Sequence, residues 1–228
     1  MDDHDWTFEE DEHIYRNAQQ VQRASATQAL TLAGIFDYSR VPQRFLEPAR
    51  RRGKNVHRVT AMRDRCIDSA NRIGLECLLL EDELGYYEAW CRFMHESKFY
   101  CTAVEEQMFG SVNGYEVGGT ADRFGYMRDR EWVNDLKTCR NYHPGWALQN
   151  WIYDELRKLR ANRPNRYVPV GKMVTQLLPD GYYKVHVFDD AADRAAALAA
   201  IALAYDPHDE RAREALNNWK LVHNISTD

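Results

Sequence analysis

The sequence predicts an α+β fold in which a mixed β-sheet is flanked by helices. Three observations lead to this prediction. Helical patterns occupy the first part of the chain, strand patterns separated by turn residues fill its middle, and a long helix then precedes two strands and two final helices. With 228 residues and 44% hydrophobic content, the chain can bury one sizeable core.

The N-terminal part combines an acidic start with helical patterns. Residues 1–12 carry seven acidic groups and no Lys or Arg, which predicts a flexible acidic tail. Apolar residues then recur at helical spacing, and Gly34 and Gly74 stand where helices would end. The predicted helices cover 12–33, 55–73 and 81–96.

Three strand patterns follow, separated by short turn signals. Aromatic and β-branched residues are frequent in them, and Asn113-Gly114 and Arg128-Asp129-Arg130 mark the turns. Such close spacing is typical of an antiparallel meander. The predicted strands cover 98–109, 116–126 and 131–138.

The last part of the chain returns to helices around a hairpin. Pro144 suits the first turn of a helix, where its missing N–H costs little. We expect residues 13–228 to form one domain, with a peripheral C-terminal helical region at about 190–222. The predicted elements are a helix over 144–161, strands over 167–178 and 182–188, and helices over 190–204 and 207–222.

Charge is unevenly spread along the chain. The formal net charge of −5 argues against a protein that coats nucleic acid by bulk charge. Residues 40–65 are nevertheless basic, and they form either a local binding face or a solvated helix surface. Their basic residues are Arg40, Arg44, Arg50, Arg51, Arg52, Lys54, Arg58, Arg63 and Arg65, against Glu47 and Asp64.

The cysteines and the hydropathy bear on the compartment. The five cysteines contain no C-x-x-C pair, and their number is odd. The acidic N-terminus does not resemble a signal peptide, and no apolar run approaches the ~20 residues of a membrane span. We therefore expect a cytoplasmic protein with reduced thiols and no membrane partner.

Two neighbouring predicted strands carry the candidate chemistry. A Gly-Gly-Thr-Ala-Asp run ends at Asp122, and a D-x-K triplet spans Asp135 to Lys137 on the next strand. Side chains alternate along a strand, so Asp135 and Lys137 point to the same face. Taken alone, the triplet is more simply an ion pair. The glycine-rich run and the apolar neighbours favour a metal site, because burying these charges without a metal would be costly.

Two carboxylates beside one lysine suit the hydrolysis of a phosphodiester. Asp122 and Asp135 would hold Mg²⁺ or Mn²⁺, hard cations that prefer oxygen ligands, with the backbone carbonyl of Leu136 facing the metal. The metal would polarise the phosphate and lower the pKa of a bound water. Lys137 would orient or deprotonate that water and offset the developing negative charge.

Further motifs stand in order around this pair of strands. The ordered set resembles the RecB-like branch of the PD-(D/E)XK nuclease superfamily, and especially its compact phage and bacterial exonucleases. The resemblance covers roughly residues 50–155. The motifs are G-x-x-x-H at Gly53 and His57, V-E at Val104 and Glu105, G-T-x-D at Gly119, Thr120 and Asp122, D-x-K-T at Asp135, Lys137 and Thr138, and Q-x-x-x-Y at Gln149 and Tyr153.

The resemblance implies a restriction-endonuclease-like core, a central mixed sheet flanked by helices, and a role for each matched residue. Asp122, Asp135 and His57 would be metal ligands, and Lys137 would be the catalytic lysine. The magnesium or manganese ion is the implied cofactor. No cysteine follows Cys139, so we expect none of the iron–sulfur clusters that some relatives hold.

The remaining matched positions have softer assignments. The family's acidic residue on the preceding strand corresponds to Glu105, with Glu106 as the register alternative; it would act through a second metal or a metal-bound water. Gln149 and Tyr153 share a helix face and would contact DNA or support the site. The first choice for a phosphate-contacting cluster is the run Arg50, Arg51 and Arg52.

Two hypotheses about function follow. The first is a metal-dependent deoxyribonuclease, an exonuclease in phage or bacterial recombination, repair or DNA degradation. DNA would be its substrate, and a single-strand annealing or other recombination protein, or a second copy of the chain, would be the partners that the resemblance suggests. The second hypothesis is a catalytically inactive DNA-binding or assembly protein that keeps the nuclease fold.

Overall fold

A five-stranded mixed sheet with helices on both faces forms the centre of the molecule. This computed structural model describes residues 6–9, 14–39, 41–66, 74–161 and 168–225. In chain order the strands and α-helices are β1 (Thr7–Glu9), β2 (Ile14–Arg16), β3 (Gln22–Arg23), α1 (Ala26–Leu32), α2 (Gln43–Arg65), α3 (Glu81–Ser97), β4 (Tyr100–Val112), β5 (Tyr115–Met127), β6 (Arg130–Lys137), α4 (Gly145–Arg160), β7 (Gly171–Leu177), β8 (Tyr183–Phe188), α5 (Ala191–Tyr205) and α6 (Glu210–Val222).

The central sheet has the strand order β4-β5-β6-β7-β8. Strands β4, β5 and β6 form the predicted antiparallel meander, and β7 and β8 form the predicted hairpin. Strand β7 is parallel to β6, and α4 connects the two, as a parallel pair requires a crossover. The predicted α+β class with a mixed sheet is therefore confirmed.

Each face of the sheet carries its own apolar core. On one face, α4 packs on β6 and β7, and Val133 and Val174 share a core with residues of α1, α5 and α6. On the other face, α2 and α3 pack on residues such as Leu136 and Met173. The two faces alternate along β6 and β7, as expected for a sheet that is covered on both sides. In the part of the chain that the structure describes, no helix is long and apolar enough to cross a bilayer.

Local turn chemistry explains why the middle of the chain was predictable. The β4–β5 turn has Asn113 at φ 52° and Gly114 at φ 86°, the left-handed pair that an Asn-Gly hairpin prefers. Arg128 and Asp129 form the next turn, also with positive φ. Pro144 caps the start of α4, close to where a proline is tolerated.

The prediction of one helix over 12–33 is wrong. The segment forms β2 and β3, and α1 begins only at Ala26. Tyr15 decides this arrangement, because its ring lies against the backbone of Gly118, where a Cβ atom would be 2.4 Å from the ring. The Tyr15 hydroxyl is also 2.7 Å from that of Thr120. Contacts with β5 therefore override a local helical pattern.

The acidic tail and the second helix need corrections as well. Residues 7–9 of the predicted flexible tail form β1, and Trp6 stacks on Phe109 at 5.4 Å; residues 1–5 and 10–12 lie outside the described ranges. Helix α2 begins at Gln43 instead of residue 55, although it contains Pro48. Its predicted end, residues 67–73, falls outside the described part of the chain.

Candidate metal centre

The candidate site lies where β5 and β6 part. Their paired residues run only as far as Arg123 and Asn134, so Asp122 and Asp135 follow at the open end of the ladder. There the Asp122 side chain replaces the missing strand partner, because its Oδ2 accepts a hydrogen bond from the Leu136 N–H at 2.7 Å. The N–H and C=O of one strand residue point to the same side, so the Leu136 carbonyl also faces this gap.

Three potential metal ligands converge beside the point where the β5–β6 pairing stops. One ligand atom each from His57, Glu105 and Asp122 lie within 4.8 Å of one another. The Nδ1 atom of His57 is 3.3 Å from Oδ1 of Asp122. Helix α2 supplies the histidine, β4 the glutamate and β5 the aspartate. The site therefore combines three elements that are distant in sequence.

Glu105 enters the group through an unusual backbone conformation. The register of β4 and β5 places it opposite Asp122, between the pairs Val104↔Arg123 and Glu106↔Ala121. Its φ is 54°, in the left-handed region that side-chain-bearing residues rarely adopt. Such conformations are concentrated at functional sites. The neighbour Glu106 instead pairs with Arg157 and Arg160, so the contacts favour Glu105 over its register alternative.

Asp135 and Lys137 form a second unit beside the three ligands. The Lys137 ammonium lies 2.6 Å from Oδ2 of Asp135 and 3.0 Å from Oε1 of Gln149. Asp135 is almost completely buried. It is not among the three residues whose ligand atoms converge, and one of its carboxylate oxygens lies against the lysine. The structure thus places the Asp135–Lys137 ion pair beside the group formed by His57, Glu105 and Asp122.

The residues of the Q-x-x-x-Y motif are buried behind Lys137. Gln149 donates to the Tyr153 hydroxyl at 2.9 Å and to the Thr27 hydroxyl at 3.1 Å, while accepting from Lys137. Gln149 is 5% exposed and Tyr153 is 3% exposed. Of the two roles expected for this motif, these contacts favour support of the site over direct contact with DNA.

Burial and neighbouring charges shift the pKa values in opposite directions. Burial raises the pKa of Glu105 to about 7, with a further increase from Asp122. Burial also raises the pKa of Asp135 to about 6, despite Lys137. For Asp122, burial is outweighed by His57, Lys137 and the Leu136 amide, which lower its pKa to about 2. Asp122 is therefore the permanent anion of the group.

Neighbouring carboxylates favour the charged form of the two basic side chains, against the effect of burial. Burial lowers the pKa of His57, but the Asp122 carboxylate outweighs this effect and the net pKa is raised. Burial likewise opposes the charge of Lys137, while Asp135 and then Asp122 raise its pKa. Lys137 is thus an ammonium ion at neutral pH, suited to orienting a water or a phosphate oxygen.

The arginine run lies on the part of α2 that leads to His57. The Arg50 side chain is exposed. The Arg52 guanidinium lies over the Tyr86 ring at 5.2 Å, and its buried Nε has no hydrogen-bond partner among the described residues. Arg51 is exposed.

One buried residue of the site escaped the sequence reasoning. Arg123 follows Asp122 directly and is fully buried. Its guanidinium contacts the side chains of Asp64, Glu105 and Thr60. The sequence did offer a sign of this role, because Arg123 stands between Asp122 and the apolar Phe124 in a predicted strand. A buried arginine at such a position requires partners.

Comparison with known proteins adds little to this geometry. No family model matches the chain, and no curated protein matches it. One solved structure with similarity to the chain is described as the crystal structure of SSO0001. The match covers 67% of this chain and 76% of that chain, at 15% identity and a TM-score of 0.38. A similarity this distant carries no argument about fold or activity.

Proposed function

We propose that the protein is a metal-dependent deoxyribonuclease of the RecB-like PD-(D/E)XK type, acting as an exonuclease. The observation that carries the proposal is the convergence of His57, Glu105 and Asp122 beside the Asp135–Lys137 pair. A structural ion pair accounts for Asp135 and Lys137 alone. It does not account for two more carboxylates and an imidazole whose ligand atoms lie close together beside this pair.

The donor set fits a small divalent cation. Two carboxylates and an imidazole are ligands suited to Mg²⁺ or, with the nitrogen donor, to Mn²⁺. Opposite ligands of Mg²⁺ stand about 4.2 Å apart, twice the usual bond length of about 2.1 Å. The separations within 4.8 Å among His57, Glu105 and Asp122 are thus close to what such an ion requires. The Leu136 carbonyl and, after rotation, Asp135 are the further donors we propose.

In the proposed hydrolysis, the ion and the protein have different roles. An ion held by His57, Glu105 and Asp122 would supply Lewis acidity, which would polarise the phosphate and favour deprotonation of the attacking water. In the hydrolysis, the water oxygen bonds to phosphorus, the bond from phosphorus to one sugar oxygen breaks, the water loses a proton and the sugar oxygen gains one. Lys137, held between Asp135 and Gln149, orients the water and balances charge on the phosphate oxygens.

The basic surface completes the proposal. Arg50, Arg51 and Arg52 lie on α2, the helix that also carries His57, and would contact phosphates next to the scissile one. This local charge explains how a protein with a net charge of −5 would bind DNA. A role in phage or bacterial recombination, repair or DNA degradation, with a recombination protein as partner, follows from the same proposal.

A digestion with defined DNA ends tests the proposal. End-labelled linear DNA, in single- and double-stranded form, and closed circular DNA are incubated with Mg²⁺, with Mn²⁺ and with a chelator. We expect the metal-dependent release of nucleotides from linear DNA, with the circle left intact. Cleavage of the circle would contradict the exonuclease assignment. No cleavage of any substrate with either metal would favour the inactive DNA-binding alternative.

A further inference from the structure

Arg123 contacts all three elements that supply the converging ligands. On β4, its Nη1 lies 3.2 Å from Oε1 of Glu105. On β5, the same Nη1 donates to the carbonyl oxygen of Asp122 at 2.6 Å. On α2, its Nη2 donates to Oγ1 of Thr60 at 3.1 Å, and that hydroxyl donates to the carbonyl of His57 at 2.9 Å. One guanidinium therefore connects the backbone or side chain of each ligand.

The position of the Arg123 guanidinium is itself fixed by Asp64. Its Nε donates to Oδ2 of Asp64 at 2.7 Å, and both side chains are completely buried. The Asp64 carboxylate also accepts hydrogen bonds from the Trp90 indole N–H, at 3.0 and 3.2 Å, and from Arg63 at 2.9 Å. The Trp90 ring lies 5.6 Å from the Arg123 guanidinium. Removing Asp64 would take the nearest carboxylate away from a completely buried guanidinium, at high cost.

The geometry of arginine suits this task. Its planar group presents five N–H donors in a fixed fork, so one side chain can bind partners in several directions at once. Lysine is a single flexible point charge and cannot reproduce these directions. The 54° φ of Glu105 adds a reason for an external restraint, because a strained residue persists only where its surroundings enforce the conformation.

We propose that Arg123 is a positioning residue that sets the mutual placement of His57, Glu105 and Asp122. It acts through its bonds to Glu105, to the Asp122 carbonyl and, through Thr60, to the turn of α2 that carries His57. It does not itself contact metal or phosphate. This inference rests on the proposed metal-binding function of the three ligands, and it assigns Asp64 the role of anchoring Arg123.

A double-mutant cycle on Mn²⁺ affinity tests the proposal. Calorimetry compares the wild type with Arg123→Lys, Glu105→Gln and the double variant. We expect Arg123→Lys to weaken Mn²⁺ binding about 10- to 100-fold, the usual effect of removing an outer partner of a ligand. In the Glu105→Gln background the same substitution should cost at least about threefold less, because part of its effect passes through Glu105. Purely additive losses would overturn the inference.

A milder variant guards against misfolding of Arg123→Lys. Thr60→Val keeps the shape of the side chain but removes the hydroxyl that links Arg123 to the His57 turn. Thr175→Val is the matched control, since Thr175 is equally buried and its hydroxyl bonds to Asn134 instead. We expect Thr60→Val to lower Mn²⁺ affinity about 3- to 10-fold and Thr175→Val to leave it unchanged. This difference should remain even if both substitutions lower the melting temperature. Equal Mn²⁺ affinities would overturn the inference.

The outcomes separate this inference from the proposed function. Additive losses in a protein that still cleaves DNA would overturn the positioning role alone. Non-additive losses of Mn²⁺ affinity in a protein that cleaves no DNA would support the positioning role and overturn the proposed nuclease activity. A wild type without measurable Mn²⁺ affinity would overturn both.

Discussion

The Nδ1 atom of His57 lies 3.3 Å from Oδ1 of Asp122, which joins the middle of α2 to the open end of the β5–β6 ladder. In the protein without metal, this contact holds the imidazole near a carboxylate that stays ionised. A divalent cation bound to both residues would have to replace the imidazole proton. Metal binding and protonation are thus competitors at this site.

The competition predicts how metal stabilisation depends on pH. His57, Glu105 and Asp135 have raised pKa values in the folded protein, with Glu105 at about 7 and Asp135 at about 6. Between about pH 4 and 7 the folded carboxyls keep protons that the unfolded chain releases, so the stability of the metal-free protein falls as pH rises. The stabilising effect of protonated His57 is also lost as pH rises through its folded pKa.

Mn²⁺ should therefore raise the melting temperature more at pH 8 than at pH 6. At the higher pH Glu105 and Asp135 have lost more of their protons, so the ion displaces fewer protons than at the lower pH. Asp122 stays ionised across this window and does not alter the sign. Thermal unfolding at both pH values, with and without Mn²⁺, measures the difference. An equal or larger metal effect at pH 6 would contradict the assigned ligands.

Lys137→Ala separates metal binding from catalysis. Because the lysine contacts Asp135 and Gln149 and is not a ligand, we expect Mn²⁺ still to bind while DNA cleavage falls about 10²- to 10⁴-fold. Calorimetry and a single-turnover digestion measure the two effects. Lys184→Ala, which changes an exposed lysine of β8, is the control and should cleave normally. Unimpaired cleavage by Lys137→Ala would remove this residue from the mechanism.

Gln149→Leu tests whether the Q-x-x-x-Y motif supports the site or binds DNA. The buried amide holds the Lys137 ammonium at 3.0 Å, so its loss should lower kcat about 10-fold and leave KM for DNA nearly unchanged. Tyr153→Phe removes only the hydroxyl that accepts from Gln149 and should have a smaller effect of the same kind. A rise in KM with unchanged kcat would instead indicate direct contact with DNA.

Arg50→Ala tests the basic face of α2. If Arg50 contacts one phosphate, its removal should weaken DNA binding across all sequences and reduce the slope of log K against log salt by roughly 1. Fluorescence anisotropy in the absence of divalent metal, at several salt concentrations, gives that slope. Arg211→Ala, an exposed arginine of α6, is the matched control. An identical slope for Arg50→Ala and the wild type would place the DNA elsewhere.

Much of the central sheet could be predicted because its determinants are local. The Asn113-Gly114 turn and the alternation along β6 fix where strands begin and which side chains share a face. That alternation placed Asp135 and Lys137 together, and they lie 2.6 Å apart. The ends of elements were less accurate, since helix α2 extends through Pro48 to Gln43.

Features that depend on distant contacts could not be predicted in the same way. The N-terminal strands form because Tyr15 packs on Gly118. The two residues are far apart in sequence, so no local pattern predicts this contact. The role of Arg123 depends on α2 and α3 bringing Asp64 and Trp90 to the back of β5. The engagement of Asp135 by Lys137, apart from the three converging ligands, likewise depends on side-chain geometry.

In the proposed mechanism, Asp122 holds the metal on which DNA hydrolysis depends. The most direct test of this role is the release of nucleotides from end-labelled linear DNA in Mn²⁺, comparing the wild type, Asp122→Asn and the control Asp189→Asn, which changes an exposed surface carboxylate. Asp122→Asn removes the ligand charge while keeping the side chain's size. We predict rapid release by the wild type and Asp189→Asn, and a loss of at least about 10³-fold for Asp122→Asn. Wild-type rates for a folded Asp122→Asn protein would contradict the account.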